Sequence, residues 1–213
     1  GSSRGIGRAT AKLAAKKGYK VIVHGRTDSE ALSRTHQEIE GAKKTFFDLA
    51  DKQATHTAIK KLGHVDILVC NAGMGKSGFG DISEIDDEQA VLEYRNNVLG
   101  TLHCIQAVLP AMVEKGEGSV VCVSSIKGHD HLTTLSSLPY GLTKSGVLSM
   151  SKALAKAYAP IRFNTVSPGY TETDMASSWS PETFDKIKKD TLAERIGQPE
   201  EIAQAILFLA SND

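Results

Sequence analysis

Neither sign of charge prevails in this chain: its 213 residues carry 25 basic and 25 acidic side chains, and no Lys/Arg block reaches five. That balance argues against nucleic acid or an anionic membrane as the main partner. Long apolar runs are missing as well, and none approaches the roughly 18 residues needed to span a bilayer. Cysteine is scarce. Cys70, Cys104 and Cys122 are odd in number, sit in apolar stretches and lack metal-ligand spacing, which predicts reduced core thiols in a cytoplasmic protein. Internal repeats, low-complexity tracts and linkers are also absent. Gly1 stands where a methionine would and already belongs to a motif, so the natural chain is expected to start upstream. What remains is 40% hydrophobic and 23% charged, the composition of one globular domain over residues 1–213.

Short β-branched runs alternate with longer amphipathic segments, the pattern of βα units around a parallel sheet. The strand candidates are Tyr19 to His24, Lys44 to Phe47, Asp66 to Cys70, Ser119 to Val123 and Ile161 to Val166. Each is nearly continuous in hydrophobicity, as strands covered on both faces should be. Helices are expected from Ile6 to Lys17, as one long element from Asp87 to Lys115, from Tyr140 to Ala159, and from Pro199 to Ala210. Gly116 supplies a stop for the long helix. The expected fold is therefore α/β, a single doubly wound Rossmann domain with a parallel sheet. Its first and last strands are expected to be missing from this chain, because a Gly-rich turn normally follows a strand and none follows the last helix.

Two patterns carry chemistry. Gly1-Ser2-Ser3-Arg4-Gly5-Ile6-Gly7 places three glycines at a helix entry, where a dinucleotide can approach bare backbone and helix N–H groups face its phosphates. A turn chosen only for tight packing would read the same. Tyr140 and Lys144 lie four apart, on one helix face. An ammonium beside a phenol favours the phenolate and moves Tyr towards proton exchange at neutral pH. Taken singly, such a pair is more often a solvated helix face.

The joint, ordered occurrence is more specific: Gly1 to Gly7, Asn71-Ala72-Gly73, Asn97, Ser124-Ser125, Tyr140 with Lys144, Pro168-Gly169, and Gly197-Gln198-Pro199-Glu200-Glu201. Across essentially the whole chain this resembles the short-chain dehydrogenase/reductase family. Pro168 to Met175 and Phe208 to Ser211 are most similar to its 3-oxoacyl-[acyl-carrier-protein] reductases. The resemblance implies an oxidoreductase in which Tyr140 is the acid/base and Lys144 binds the nicotinamide ribose and lowers the Tyr pKa. Ser125 would hydrogen-bond the substrate oxygen, with Ser124 as the competing assignment. Asn97 would hold a water in the proton relay, with Asn96 competing. Gly1, Ser3, Arg4, Gly5, Ile6, Gly7, Arg26, Asp48, Leu49, Asn71, Ala72, Gly73, Pro168, Gly169, Thr171 and Thr173 would line the cofactor, together with Tyr140 and Lys144.

Hydride transfer to a ketone leaves negative charge on oxygen that must be hydrogen-bonded and then protonated, and no metal is required for that. His129 and His131, isolated in a loop, face the substrate mouth or water rather than a metal. An NAD enzyme generally has an acidic residue at the end of the second strand. Here Gly25 and Arg26 stand there with Arg4 nearby, and two guanidinium groups suit a 2′-phosphate, so NADP(H) is the expected cofactor. Ser125 and Tyr140 are 15 positions apart, longer than is usual in the family, with Leu132, Leu135 and Leu138 between them. The substrate is accordingly a 3-oxoacyl thioester or a small or hydrophobic free ketone, and a non-catalytic NADP(H)-binding sensor is the contrasting reading. Residues 171–196 are expected to form a lid over the substrate. A homotetramer is expected through the two long helices, the second carrying a small-residue stripe of Gly146, Ser149 and Ala153.

Overall fold

Val120 and Cys122 of one strand turn towards one cluster of buried side chains, and Val121 and Val123 towards another. That period of two, with both faces apolar, requires helices on both sides of the sheet. The computed structural model describes residues 1–174 and 179–212. In it five parallel strands, β1 (Ile22–Gly25), β2 (Lys43–Phe46), β3 (Ile67–Cys70), β4 (Ser119–Val123) and β5 (Arg162–Val166), form two sheets, β1–β2 and β3–β4–β5. Register runs from Ile22 against Lys43, Ile67 against Ser119, and Ser119 against Arg162. The backbone of Gly1 and Ser2 bridges the two sheets. The Ser2 N–H donates to the His24 carbonyl at 2.7 Å, and Asn71 Nδ2 donates to the Gly1 carbonyl at 2.7 Å.

The helices are α1 (Gly5–Lys16), α2 (Glu30–Gln37), α3 (Lys52–Leu62), α4 (Asp87–Tyr94), α5 (Gly100–Lys115), α6 (Leu138–Ala157), α7 (Pro181–Asp190) and α8 (Pro199–Ala210). Ile59 of α3, Ile105, Val108 and Met112 of α5 and Val147 of α6 cover one face of β3–β4–β5. Ile6 of α1 and Ile206 and Ala210 of α8 cover the other. The α/β, doubly wound expectation is met.

Several boundaries differ from the sequence reading. The Tyr19 N–H still bonds to the Ala14 carbonyl at the end of α1, so β1 begins at Ile22 rather than Tyr19. β2 lies one residue earlier than expected, β3 and β5 each start one residue later, and α6 runs from Leu138 to Ala157. The expected continuous helix from Asp87 to Lys115 is interrupted by a π turn at Arg95–Leu99. A π turn shifts the residues beyond it around the helix and is common at functional sites; here it holds Asn97. Gly116 ends α5 in the left-handed conformation, φ 72°, as the sequence suggests.

Candidate active site

Most cofactor and catalytic candidates outside the helices lie just beyond the carboxyl end of a parallel strand. Arg26 follows β1, Asp48 and Leu49 follow β2, Asn71 to Gly73 follow β3, Ser125 follows β4, and Pro168 and Gly169 follow β5. Open α/β sheets bind ligands along this edge.

At the head of α1 the chain turns tightly. Gly5 has φ +52°, and a Cβ on it would lie 3.2 Å from the Thr173 methyl. A Cβ on Gly7 would overlap the Gly1 carbonyl and come within 2.6 Å of Asn71 Nδ2, so only glycine fits. Ser3 is tied to α2, its carbonyl accepting from Thr35 Oγ1 at 3.3 Å. Thr171 forms a parallel bridge with Gly197. Ile6 turns its side chain into the core, leaving only its backbone to meet a ligand. Arg4 and Arg26 are exposed and neither guanidinium has a partner among the described residues. An acidic residue missed by the sequence reading, Asp28, stands two positions beyond Arg26, and its carboxylate is occupied by Lys44 Nζ at 2.6 Å. Asp48 is exposed and accepts from the Ala50 N–H at 2.9 Å, while the Leu49 carbonyl accepts from His103 Nδ1 at 2.8 Å.

The catalytic candidates converge around α6. Lys144 is 4% exposed, its Nζ donates to the Val123 carbonyl at 2.9 Å, and it sits 5.6 Å from the centre of the Tyr140 ring. Burial lowers the Lys144 ammonium from 10.5 to about 8. Burial pushes the Tyr140 phenol up, Ser125 pulls it down and Glu93 pushes it up again. The net direction is upward, in contrast with the depressed phenol expected from spacing alone.

The two serines separate clearly. Ser124 Oγ donates to the Lys144 carbonyl at 2.9 Å inside the protein, whereas Ser125 faces Tyr140 and accepts from the Lys127 N–H at 3.2 Å. The two asparagines separate as well. Asn96 Nδ2 bonds back to the Leu92 carbonyl of its own helix. Asn97, 1% exposed, accepts from the Met74 N–H at 2.8 Å and donates to the Met74 carbonyl at 2.7 Å and to Thr143 Oγ1 at 2.9 Å. Asn97 Oδ1 and Lys144 Nζ both lie against Gly73, where a Cβ would stand 3.3 and 3.2 Å from them. Thr143, Gly75 and Glu93 complete the surroundings and were not singled out from the sequence. Glu93 had a signal, four residues before Asn97 on the same helical run. His131 pairs with Asp130 at the surface, and Met175, within the expected lid, falls outside the described residues.

The family model described as Enoyl-(Acyl carrier protein) reductase matches residues 1–213. Carbonyl reductase family member 4 of Xenopus laevis is 36% identical over 215 residues, covering 98% of this chain and 88% of that one. The 3-oxoacyl-[acyl-carrier-protein] reductase FabG of Thermotoga maritima is 33% identical over 223 residues, covering 100% and 89%. Among solved structures, a gluconate 5-dehydrogenase from Burkholderia cenocepacia in complex with NADP and tartrate superposes with TM-score 0.91 at 28% identity, covering 99% of this chain and 86% of that one.

Proposed function

The chain belongs to the short-chain dehydrogenase/reductase family, and on that premise we propose that it transfers a hydride between NADP(H) and a ketone or its secondary alcohol. The observation that carries this reading is the convergence of Ser125, Tyr140, Lys144 and Asn97 at one sheet edge. The bare backbone at Gly1, Gly5 and Gly7 fits a dinucleotide pyrophosphate at the head of α1, and the unpartnered Arg4 and Arg26 fit a 2′-phosphate. When bound, the nicotinamide cofactor supplies or accepts the hydride.

Ser125 donates a hydrogen bond to the substrate oxygen as negative charge develops there, and Tyr140 Oη gives it a proton. A phenol raised by burial is fully protonated at neutral pH, which suits the reducing direction. Lys144 and Asn97, close together at Gly73, hold the ribose side and return the proton to Tyr140 from water.

A 3-oxoacyl thioester is the first substrate reading, supported by the name of the Thermotoga maritima relative. A hydrophobic free ketone is the second, supported by the segment between Ser125 and Tyr140, where Leu132 is 37% and Leu135 39% exposed. Residues 171–196 would close over either substrate, with Tyr170, Trp179 and Phe184 in one aromatic cluster. Three free, buried thiols suit a cytoplasmic setting. Exposed Val91 and Tyr94 of α4, Val113 of α5 and Leu142 of α6 suit a homotetramer. Of the small-residue stripe, Ser149 and Ala153 are exposed while Gly146 faces Val98 of the same chain. The test is oxidation of NADPH against a panel of ketones and acyl thioesters. Turnover of the thioesters alone favours the first reading, turnover of free ketones alone the second, and no turnover of any of them refutes both.

A further inference from the structure

Glu93 of α4 is 0% exposed, although charged side chains are almost never fully buried unless paired. Its Oε1 accepts from the Lys76 N–H at 2.7 Å and from Gln89 Nε2 at 3.0 Å. Oε2 has no hydrogen-bond partner, and Glu93 takes part in no ion pair among the described residues. A buried carboxylate left this way is costly. Four positions later Asn97 grips the Met74 N–H and carbonyl. The two side chains thus fix both ends of Met74–Lys76, with Gly75 between them. Gly75 presses on the phenol ring: a Cβ there would overlap Tyr140 Cδ2 and lie 2.9 Å from Cγ.

We infer that Glu93 is a positioning residue for Tyr140, clamping the Met74–Lys76 backbone with Asn97 against the phenol ring and presenting an uncompensated carboxylate to it through the protein interior. This rests on the assignment of Tyr140 as the acid/base. The charged or titratable groups on the elements nearest Tyr140 are Lys144 of α6 itself, 5.6 Å from the ring centre, Cys122 of β4 beside Lys144, Lys127 of the turn after β4, and Lys76 of the loop after β3. Lys76 Nζ is turned over Phe79 and Lys127 Nζ over Tyr170, and Glu93 is the acid whose charge acts on the phenol. Its charge opposes formation of phenolate, in the direction found for Tyr140.

Two readouts independent of turnover test the inference: hydrogen exchange at the Lys76 amide, and the tyrosinate absorbance of Tyr140, isolated by subtracting Tyr140→Phe. In Glu93→Leu the Lys76 amide should exchange at least about tenfold faster, because a charge-assisted bond is lost, and kcat for ketone reduction should fall while KM for NADPH holds. Glu93→Gln keeps an acceptor for Lys76 and removes the charge. It should restore most of the protection and move both the Tyr140 titration and the pH profile of alcohol oxidation to lower pH. Unchanged Lys76 exchange in Glu93→Leu, or a Tyr140 titration in Glu93→Gln that coincides with wild type, overturns the inference. If the wild-type protein reduces no ketone, the functional reading fails, while exchange and titration still decide the role of Glu93.

Discussion

Lys144 Nζ donates to the Val123 carbonyl at 2.9 Å from a site where burial has lowered its pKa from 10.5 to about 8. Helix α6 therefore carries a charged group that the fold tolerates rather than welcomes. Between about pH 8 and 10.5 the folded protein binds fewer protons here than the unfolded chain, so this residue's contribution to stability is least favourable below pH 8 and improves as pH rises through that window. The shift corresponds to about 3 kcal/mol, against about 1.5 to 3 kcal/mol for the charge-assisted hydrogen bond to Val123. Lys144→Met should therefore abolish turnover yet melt no lower than wild type at pH 7, and up to about 6 °C higher. Calorimetry at pH 7 and pH 10 checks this. A variant that melts lower at pH 7, with no narrowing of the gap at pH 10, contradicts it.

Tyr140→Phe removes the transferable proton and keeps the ring against Gly75. Loss of a positioned general acid costs about 100- to 10,000-fold in rate, so kcat should fall at least that far while NADPH affinity, read by fluorescence titration, stays near wild type. Turnover within about tenfold of wild type would remove Tyr140 from the proton-transfer step.

Ser124 and Ser125 should give opposite phenotypes. Ser125→Ala takes away the proposed donor to the developing oxyanion and should cost about 100- to 1,000-fold in kcat, with little effect on melting. Ser124→Ala breaks the buried bond to the Lys144 carbonyl, which should cost about 1 kcal/mol of stability and leave most of the turnover. Measured together, the two variants decide the assignment: exchanged phenotypes would put Ser124 at the substrate.

The strands, and the placing of Tyr140 and Lys144 on one helix, were readable because each rests on a local signal: a run of apolar residues covered on both faces, or a spacing of four on one helix face. The π turn at Arg95–Leu99 left no such signal. Val91, Val98, Leu102, Ile105 and Leu109 keep a near-helical spacing through it, and a period cannot register one widened turn. Glu93 was passed over because an acid on an amphipathic helix normally faces water. Its burial depends on Lys76, 17 positions away in sequence, whose N–H it accepts. What sets Ser124 apart from Ser125, and Asn96 from Asn97, is side-chain direction, which adjacent positions in a sequence do not carry.

Cofactor preference follows from what the two arginines lack. Arg4 in the glycine turn and Arg26 beyond β1 are both exposed, and neither guanidinium is neutralised by an acid among the described residues. The nearby Asp28, which might have served a ribose hydroxyl, is held instead by Lys44 Nζ and Ser33 Oγ. Each charge-assisted contact to a 2′-phosphate is worth about 1.5 to 3 kcal/mol, more than about tenfold in affinity apiece. Wild-type protein should therefore prefer NADPH. Arg4→Ser combined with Arg26→Ser should weaken NADPH by roughly 100-fold or more while NADH, which has no phosphate at that position, changes little. Steady-state KM values for the two cofactors, measured at low and high salt, separate a contact from a general field effect, because only the field is strongly screened. A wild-type preference for NADH, or equal losses for both cofactors in the double variant, would mean that the two arginines serve the surface and not the cofactor.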